Sequence, residues 1–169
     1  RGYTPSVFST LPKLLERCGT SDKGTITGFY TILVEGDDLD EPVSDAVRGI
    51  LDGHIVLSRK LAQRYHYPAV DVLASISRLA LKITGPKLRE AAGYIKKMMA
   101  VYADAEDLID VGAYAEGTNP EIDEALKKMP EIREFLQQAI EEKAPLKETL
   151  KWAGEIAGIE IPDEELRDA

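Results

Sequence analysis

The chain has 169 residues, 44 % of them hydrophobic and 30 % charged, with 21 Lys or Arg against 30 Asp or Glu and a formal net charge of −9. That balance excludes a disordered, a collagen-like or a membrane-embedded chain, and the length allows one sizeable core or two small units sharing an interface. Residues 1–86 carry 10 basic and 10 acidic side chains, whereas residues 87–169 carry 11 basic and 20 acidic, which is the whole excess. An acidic second half repels phosphate backbones and so argues against nucleic-acid binding; it is either a solvated helical surface or a docking face for a basic partner. No stretch approaches the roughly 18 apolar residues of a spanning helix. The start at Arg1 has no signal-peptide pattern and suggests a fragment or a processed product. The single cysteine, Cys18, has no internal partner, which favours a reducing, cytoplasmic setting.

A helix-like run, Leu11 to Arg17, leads to Cys18, a small packing residue. Next comes Gly19-Thr20-Ser21-Asp22-Lys23-Gly24-Thr25, where the lysine precedes the glycine. A phosphate-binding loop needs G-x-x-x-x-G-K-[ST], so this stretch reads as a turn feeding a strand. No G-x-G-x-x-G occurs, and the chain has no phosphate cradle of its own. Thr25 to Glu35, rich in β-branched and aromatic residues, predicts a largely buried strand. Asp37-Asp38 follows, either a solvated turn or a hard-cation ligand pair. Pro42 then opens a short helix through Val43, Ala46, Val47, Ile50 and Leu51. His54 to Leu57 is a second apolar run, followed by a basic turn at Arg59-Lys60.

Tyr67 to Asp71 is extended, because the residue before a proline avoids the helical region. Val72 to Ile76 continues as a strand that ends at Ser77-Arg78. His54 and His66 have no further histidine or cysteine at ligand spacing, which favours structural roles over zinc. Arg78 either pairs with an acid or serves a site at the strand's end. These strands and short helices indicate an α/β sheet with loops gathered at one end.

After Gly85-Pro86 the strand signals stop. Leu88, Ala91, Ala92, Ile95, Met99, Tyr102, Ala105, Leu108 and Ile109 share one stripe of a long amphipathic helix. Asn119-Pro120-Glu121 is a helix start with a capping side chain and a proline at the first helical position. Pro130 is expected to interrupt that helix, with another through Ile132, Phe135, Leu136, Ala139 and Ile140. Pro145 starts a last helix through Leu146, Leu150, Ala153 and Ala157. The second half is thus a small helical bundle packed on the sheet.

Several long stretches carry a resemblance to a known family: RGYTPSVF and LPKLLER at the start, GTITGFYTILVEGDDLDEPVSDAVRGILDGHIVLSRKLA, HYPAVDVLASISR, GAYAEGTNPEIDEAL and IREFLQQ. In order and over nearly the entire chain they resemble the flagellar type III export ATPases, close relatives of the injectisome ATPases and more distant ones of rotary ATP synthase subunits. The resemblance implies an α/β fold: the C-terminal part of a RecA-like P-loop ATPase core over residues 1–82, then an α-helical C-terminal domain over 83–169. It implies a parent enzyme that hydrolyses ATP to drive protein export as a homo-hexamer, with ATP or ADP and Mg²⁺ as cofactors. The phosphate loop and the magnesium-holding aspartate of that family lie upstream of this segment. The fragment alone is therefore expected to be inactive and to bind no nucleotide tightly.

Two positions carry over from the resemblance. Arg78 matches the arginine that these ATPases insert into the neighbouring subunit's site, where a permanently charged guanidinium suits phosphoryl transfer. Tyr67 matches the aromatic that packs on adenine, with core packing as the alternative. Tyr114 lies in a region where a second adenine-facing aromatic is plausible, although the local pattern departs from the ATP-synthase catalytic subunit. The loop Glu35 to Glu41, with Asp37, Asp38 and Asp40, resembles the loop facing the ring axis, where relatives contact a coiled-coil stalk; that makes metal binding there less favoured. The implied partners are the stalk-like protein, a regulator, export chaperones and cargo, with peripheral contact to the membrane export apparatus and a cytoplasmic place at the flagellar base. The alternatives are an acidic helical docking module for chaperones or cargo, and an injectisome or ATP-synthase-type subunit.

Overall fold

A computed structural model of the chain describes residues 3–34, 36 and 38–166. Two units divide the chain, Arg1–His54 and Ile55–Ala169. In the first, helix α1 (Ser6–Leu15) presents Leu15 to a small core with Val43 and Val47, flanked by Leu11, Tyr30 and Leu51. Strands β1 (Gly19–Ser21) and β2 (Gly24–Ile26) form an antiparallel hairpin in the register Gly19↔Ile26 and Ser21↔Gly24. Its turn, Asp22-Lys23, is followed by Gly24 at φ 152°, a conformation that only glycine adopts without strain. The stretch that came closest to a phosphate loop is this hairpin.

The strand expected over Thr25–Glu35 stops at Ile26, and residues 27–34 have no regular structure. Phe29 is 90 % and Leu33 88 % exposed, so the segment is not buried either. A strand is held by a ladder neighbour, and among the described residues β2 pairs only with β1. β-propensity without a neighbour to pair with does not make a strand. Helix α2 (Pro42–Ile50) starts at its proline as expected, with Asp45 in the first turn and Val43 and Val47 on the buried face.

Strand β3 (Gly53–Leu57) pairs with β4 (Val70–Ser77). Val56 N–H donates to Ser75 Oγ at 2.9 Å and Ser58 N–H to the Ala69 carbonyl at 2.8 Å. Arg59-Lys60, expected as a turn, instead opens helix α3 (Arg59–Gln63). The reason is Ser58, whose side chain accepts the Leu61 N–H and caps the helix. A short helix α4 (Ala80–Ile83) leads to α5 (Pro86–Asp110), 25 residues long. Gly85 offers no side-chain cap; Glu165 supplies one from 77 and 78 residues away in sequence, accepting the N–H groups of Leu88 at 2.8 Å and Lys87 at 3.1 Å.

Helix α6 (Pro120–Leu136) begins at the expected cap, with Asn119 accepting the Glu121 N–H at 3.0 Å. It does not break at Pro130. An interior proline costs about 3 kcal/mol, but Met129 and Ile132 on either side are buried, at roughly 1.5–3 kcal/mol each. The helix ends at Leu136 instead, so Ala139 and Ile140 are not helical, and Ile140 is 99 % exposed. Helix α7 (Leu146–Ala157) closes the bundle at Gly158, which caps it in the left-handed conformation.

The bundle core joins Ile95 and Met98 of α5, Ala125, Met129 and Ile132 of α6, and Ala153 and Ile156 of α7. On α5 the stripe is rotated slightly from the expected one: Met98 is buried, whereas Ala92 and Leu108 are exposed. A second cluster of Ala91, Ile161 and Leu166 folds the C-terminal segment back onto α5. No helix among the described residues is long and apolar enough to cross a membrane.

Candidate functional site

Strand β4 carries the two residues singled out by the sequence, one ahead of it and one behind. Tyr67 precedes the strand, 52 % exposed, with its ring edge-on to Tyr65 at a centroid distance of 6.5 Å. Tyr65 itself is held at φ 58° and is 86 % exposed. The Tyr67 carbonyl accepts the Gln138 N–H at 2.9 Å, which ties the start of β4 to the segment after α6. Between them lies an open cleft of about 430 Å³ lined by Tyr65, Tyr67, Gln137, Gln138, Glu142 and Trp152. Trp152 stands edge-on against Phe135 at 5.3 Å, which fixes the far wall. An exposed aromatic face in a cleft of this size fits a flat heterocyclic base.

Arg78 is exposed just past the other end of β4, next to Ser77, whose Oγ accepts the Ala80 N–H at 3.2 Å at the start of α4. The eight residues of β4 at about 3.3 Å each put roughly 26 Å between the two ends. Tyr67 and Arg78 thus flank the strand at opposite ends.

The surroundings of the cleft are held by charge. Glu106 of α5 accepts Arg64 Nη1 at 2.8 Å and Lys60 Nζ at 3.2 Å, joining α5 to α3 and to the residues just ahead of Tyr67. Those two cations, the Arg64 hydrogen bond first, hold the Glu106 carboxyl below the usual carboxylate range. Partial burial, with Arg133 nearby, lowers His66 below the ordinary imidazole value. Among the described residues no group of three or more His, Cys, Asp or Glu is placed to hold a metal ion.

Tyr114 is not brought to Tyr67. It lines a separate cleft of about 300 Å³ with Ile109, Asp123, Leu126 and Lys127. Its hydroxyl donates to Asp123 Oδ1 at 2.8 Å and accepts the Asn119 N–H at 3.2 Å, fastening the loop to the start of α6. In the loop before α2, Asp38 Oδ1 accepts the Asp40 N–H at 3.1 Å and Asp40 pairs with Arg48 at 3.3 Å, both acids exposed. Asp37 and Glu35 lie outside the described residues. Tyr65, Gln137 and Trp152 are not singled out by the sequence as site residues; Tyr65 stands two residues from Tyr67, and Gln137 lies in the IREFLQQ stretch.

Comparison with known proteins adds to this geometry. The nucleotide-binding domain of the ATP synthase alpha/beta family matches residues 1–77, and the T3SS EscN ATPase C-terminal domain matches residues 84–152. The flagellum-specific ATP synthase of Treponema pallidum is 54 % identical over 161 residues, covering 95 % of this chain and 36 % of the relative. The assembled ATPase EscN of the enteropathogenic E. coli type III secretion system superposes with a TM-score of 0.88 at 43 % identity, over 93 % of this chain and 38 % of that one. EscN in complex with its central stalk EscO gives a TM-score of 0.82 at 41 % identity, over 93 % and 37 %. The first part of the chain thus matches the nucleotide-binding domain model of the ATP synthase alpha/beta family and the helical part the C-terminal domain model, and the chain spans little more than a third of the length of the curated relatives it matches.

Proposed function

Because the chain belongs to the family of flagellum-specific ATP synthases and type 3 secretion ATPases, we propose that it is the C-terminal portion of an ATPase that couples ATP hydrolysis to type III protein export, in its flagellar form. The division lies near residues 82 and 83, with the end of the ATPase core before it and the helical domain after it. The observation that carries the reading is the placement of Tyr67 and Arg78 at opposite ends of β4. Tyr67 packs against the adenine of its own subunit's nucleotide. Arg78 reaches the phosphates bound by the neighbouring copy, so each site is shared between two subunits of a homo-hexameric ring.

In this reading the Arg78 guanidinium stabilises charge that develops on the transferring phosphoryl oxygens, a contribution of roughly 10³–10⁵ in rate for such arginines. The flat Tyr67 face holds the base without contacting the reacting atoms. Nucleotide and Mg²⁺ belong to the whole enzyme. The described residues offer no cage for the ion, which commonly keeps its waters and binds through one or two carboxylates and the phosphates.

The loop with Asp37, Asp38 and Asp40 faces a stalk-like partner. The exposed carboxylates of Asp38 and Asp40 suit a basic coiled coil, and the relative EscN has been captured with its central stalk EscO. The whole protein works at the cytoplasmic base of the flagellum with a regulator, chaperones and cargo. The test is Arg78→Ala in the full-length protein: turnover falls steeply while nucleotide affinity is largely kept. Unchanged turnover in assembled rings removes Arg78 from the site.

A second reading takes the helical half as a docking platform for chaperones or cargo. It is favoured by the placement of 20 acidic against 11 basic side chains after Pro86. Binding of a basic chaperone or cargo protein to this half should then weaken with salt, and salt-insensitive binding counts against it.

A further inference from the structure

Two glycines seat the segment that follows α7. The chain turns at Gly158, and the Ile159 N–H donates to the Gly154 carbonyl at 2.8 Å. A Cβ on Gly154 would stand 2.5 Å from the Ile159 carbonyl oxygen and 2.7 Å from Ile161 Cγ1, so a bare backbone lets the segment lie down on α7. Ile161 and Leu166 then bury against Ala91 of α5. Glu165 reaches the first turn of α5 with both carboxylate oxygens, passing over Gly85, where a Cβ would strike it. Gly85 stands only seven residues after Arg78. The linker between them is closed by its own bonds: Ser77 Oγ accepts the Ala80 N–H at 3.2 Å, and the Ala80 carbonyl accepts the Thr84 N–H at 3.1 Å.

We propose that Glu165 is a positioning residue for Arg78: the C-terminal strap, residues 159–166, fixes the first turn of α5 and with it the linker that presents the guanidinium. The inference rests on the reading of Arg78 as the arginine offered to the neighbouring copy's phosphates, and adds what holds it in place. Such an arginine acts only where charge develops, and a misplacement of about 1 Å can cost roughly 10²-fold in rate. The linker's bonds are local, so they keep its shape, while its aim is set by its two anchors. One anchor is β4, paired with β3. The other is the start of α5, whose Lys87 and Leu88 N–H groups have no intrahelical partner and are held by Glu165. A carboxylate suits that place, with two acceptor oxygens and a negative charge at the positive end of a helix. The burial of Ile161 and Leu166 on either side keeps it there.

The test is steady-state ATP hydrolysis by assembled rings of the full-length protein, circular dichroism confirming that each variant folds. Glu165→Ala lowers kcat about three- to thirtyfold and leaves KM within about twofold of wild type, because aim is lost and nucleotide binding is not. In an Arg78→Ala background the same change costs nothing further, since no guanidinium remains to be aimed. Glu165→Asp keeps the charge but draws the carboxylate back; its smaller loss of kcat likewise disappears beside Arg78→Ala, and it carries the comparison where Glu165→Ala does not assemble. An equal fall of kcat in both backgrounds, or a loss confined to KM, overturns the role of Glu165. So does a wild-type kcat in Glu165→Ala alongside a nearly inactive Arg78→Ala, which leaves Arg78 standing. Wild-type turnover in Arg78→Ala overturns the reading of Arg78, and the role of Glu165 with it.

Discussion

Glu106, midway along the long helix α5, holds Arg64 at 2.8 Å, so the segment that leads into Tyr67 is fastened to the helical domain by an ion pair. Lys60 joins from the same short helix at 3.2 Å. The acid is three-quarters covered while both cations are largely exposed, so the pairing is screened and its worth modest.

Acid should loosen this fastening first. The Arg64 and Lys60 hydrogen bonds lower the Glu106 carboxyl below its ordinary value of 4.5. A carboxyl with a lowered folded-state pKa contributes stability that is present above the unfolded value and is lost as pH falls through the folded one. Glu106→Gln should therefore lower Tm slightly at pH 7, by about 1–2 °C. That difference from wild type should vanish as the pH drops well below 4.5. Thermal unfolding across that range checks it, and a constant difference at every pH would show that lost packing, not charge, sets the effect.

Glu165 caps α5 from the far end of the chain, and Gly85 makes room for it: a Cβ at Gly85 would strike the Glu165 side chain. Glu165→Ala should cost about 0.5–2 kcal/mol, the range of a lost helix cap. Gly85→Ala should cost a similar amount by pushing the same carboxylate away. The double variant should be markedly less destabilised than the sum of the two. Urea unfolding of the four proteins measures this, and full additivity would separate Gly85 from the cap.

Tyr94 should be the slowest tyrosine to ionise. Burial and its hydrogen bond to Glu124 Oε1, at 2.7 Å, push it up to about 12. In the unfolded chain it titrates near 10, so the stability it contributes is complete below that pH and is lost as the pH rises toward 12. Ultraviolet titration should show one phenol lagging the rest, absent in Tyr94→Phe. A Tyr94→Phe curve that keeps the lagging phenol would assign it elsewhere.

How much of this was legible in the sequence depended on whether the deciding interaction was local. Asn119, Pro120 and Pro42 announced helix starts because caps and a proline's fixed φ act within one turn. Pro130 misled because its local cost is outweighed by Met129 and Ile132 packing against other helices. Phe29 and Leu33 misled because strand formation depends on a neighbour that propensity does not reveal. Tyr67 and Arg78 stood out through their motif, whereas Gln137 entered only with the fold. Its place in the cleft with Tyr67 comes with a turn held by Gln138, Ala139 and Glu142.

The sharing of each nucleotide between two copies is tested most directly by mixing two defective full-length proteins, Arg78→Ala and Tyr67→Ala. If Arg78 serves the neighbour's site, a mixed ring contains sites with Tyr67 from one copy and Arg78 from the other. At ATP concentrations that leave Tyr67→Ala largely empty, the mixture should then hydrolyse ATP faster than the two pure variants combined. A rate no greater than their average at every mixing ratio would place both residues at one subunit's site and contradict the account.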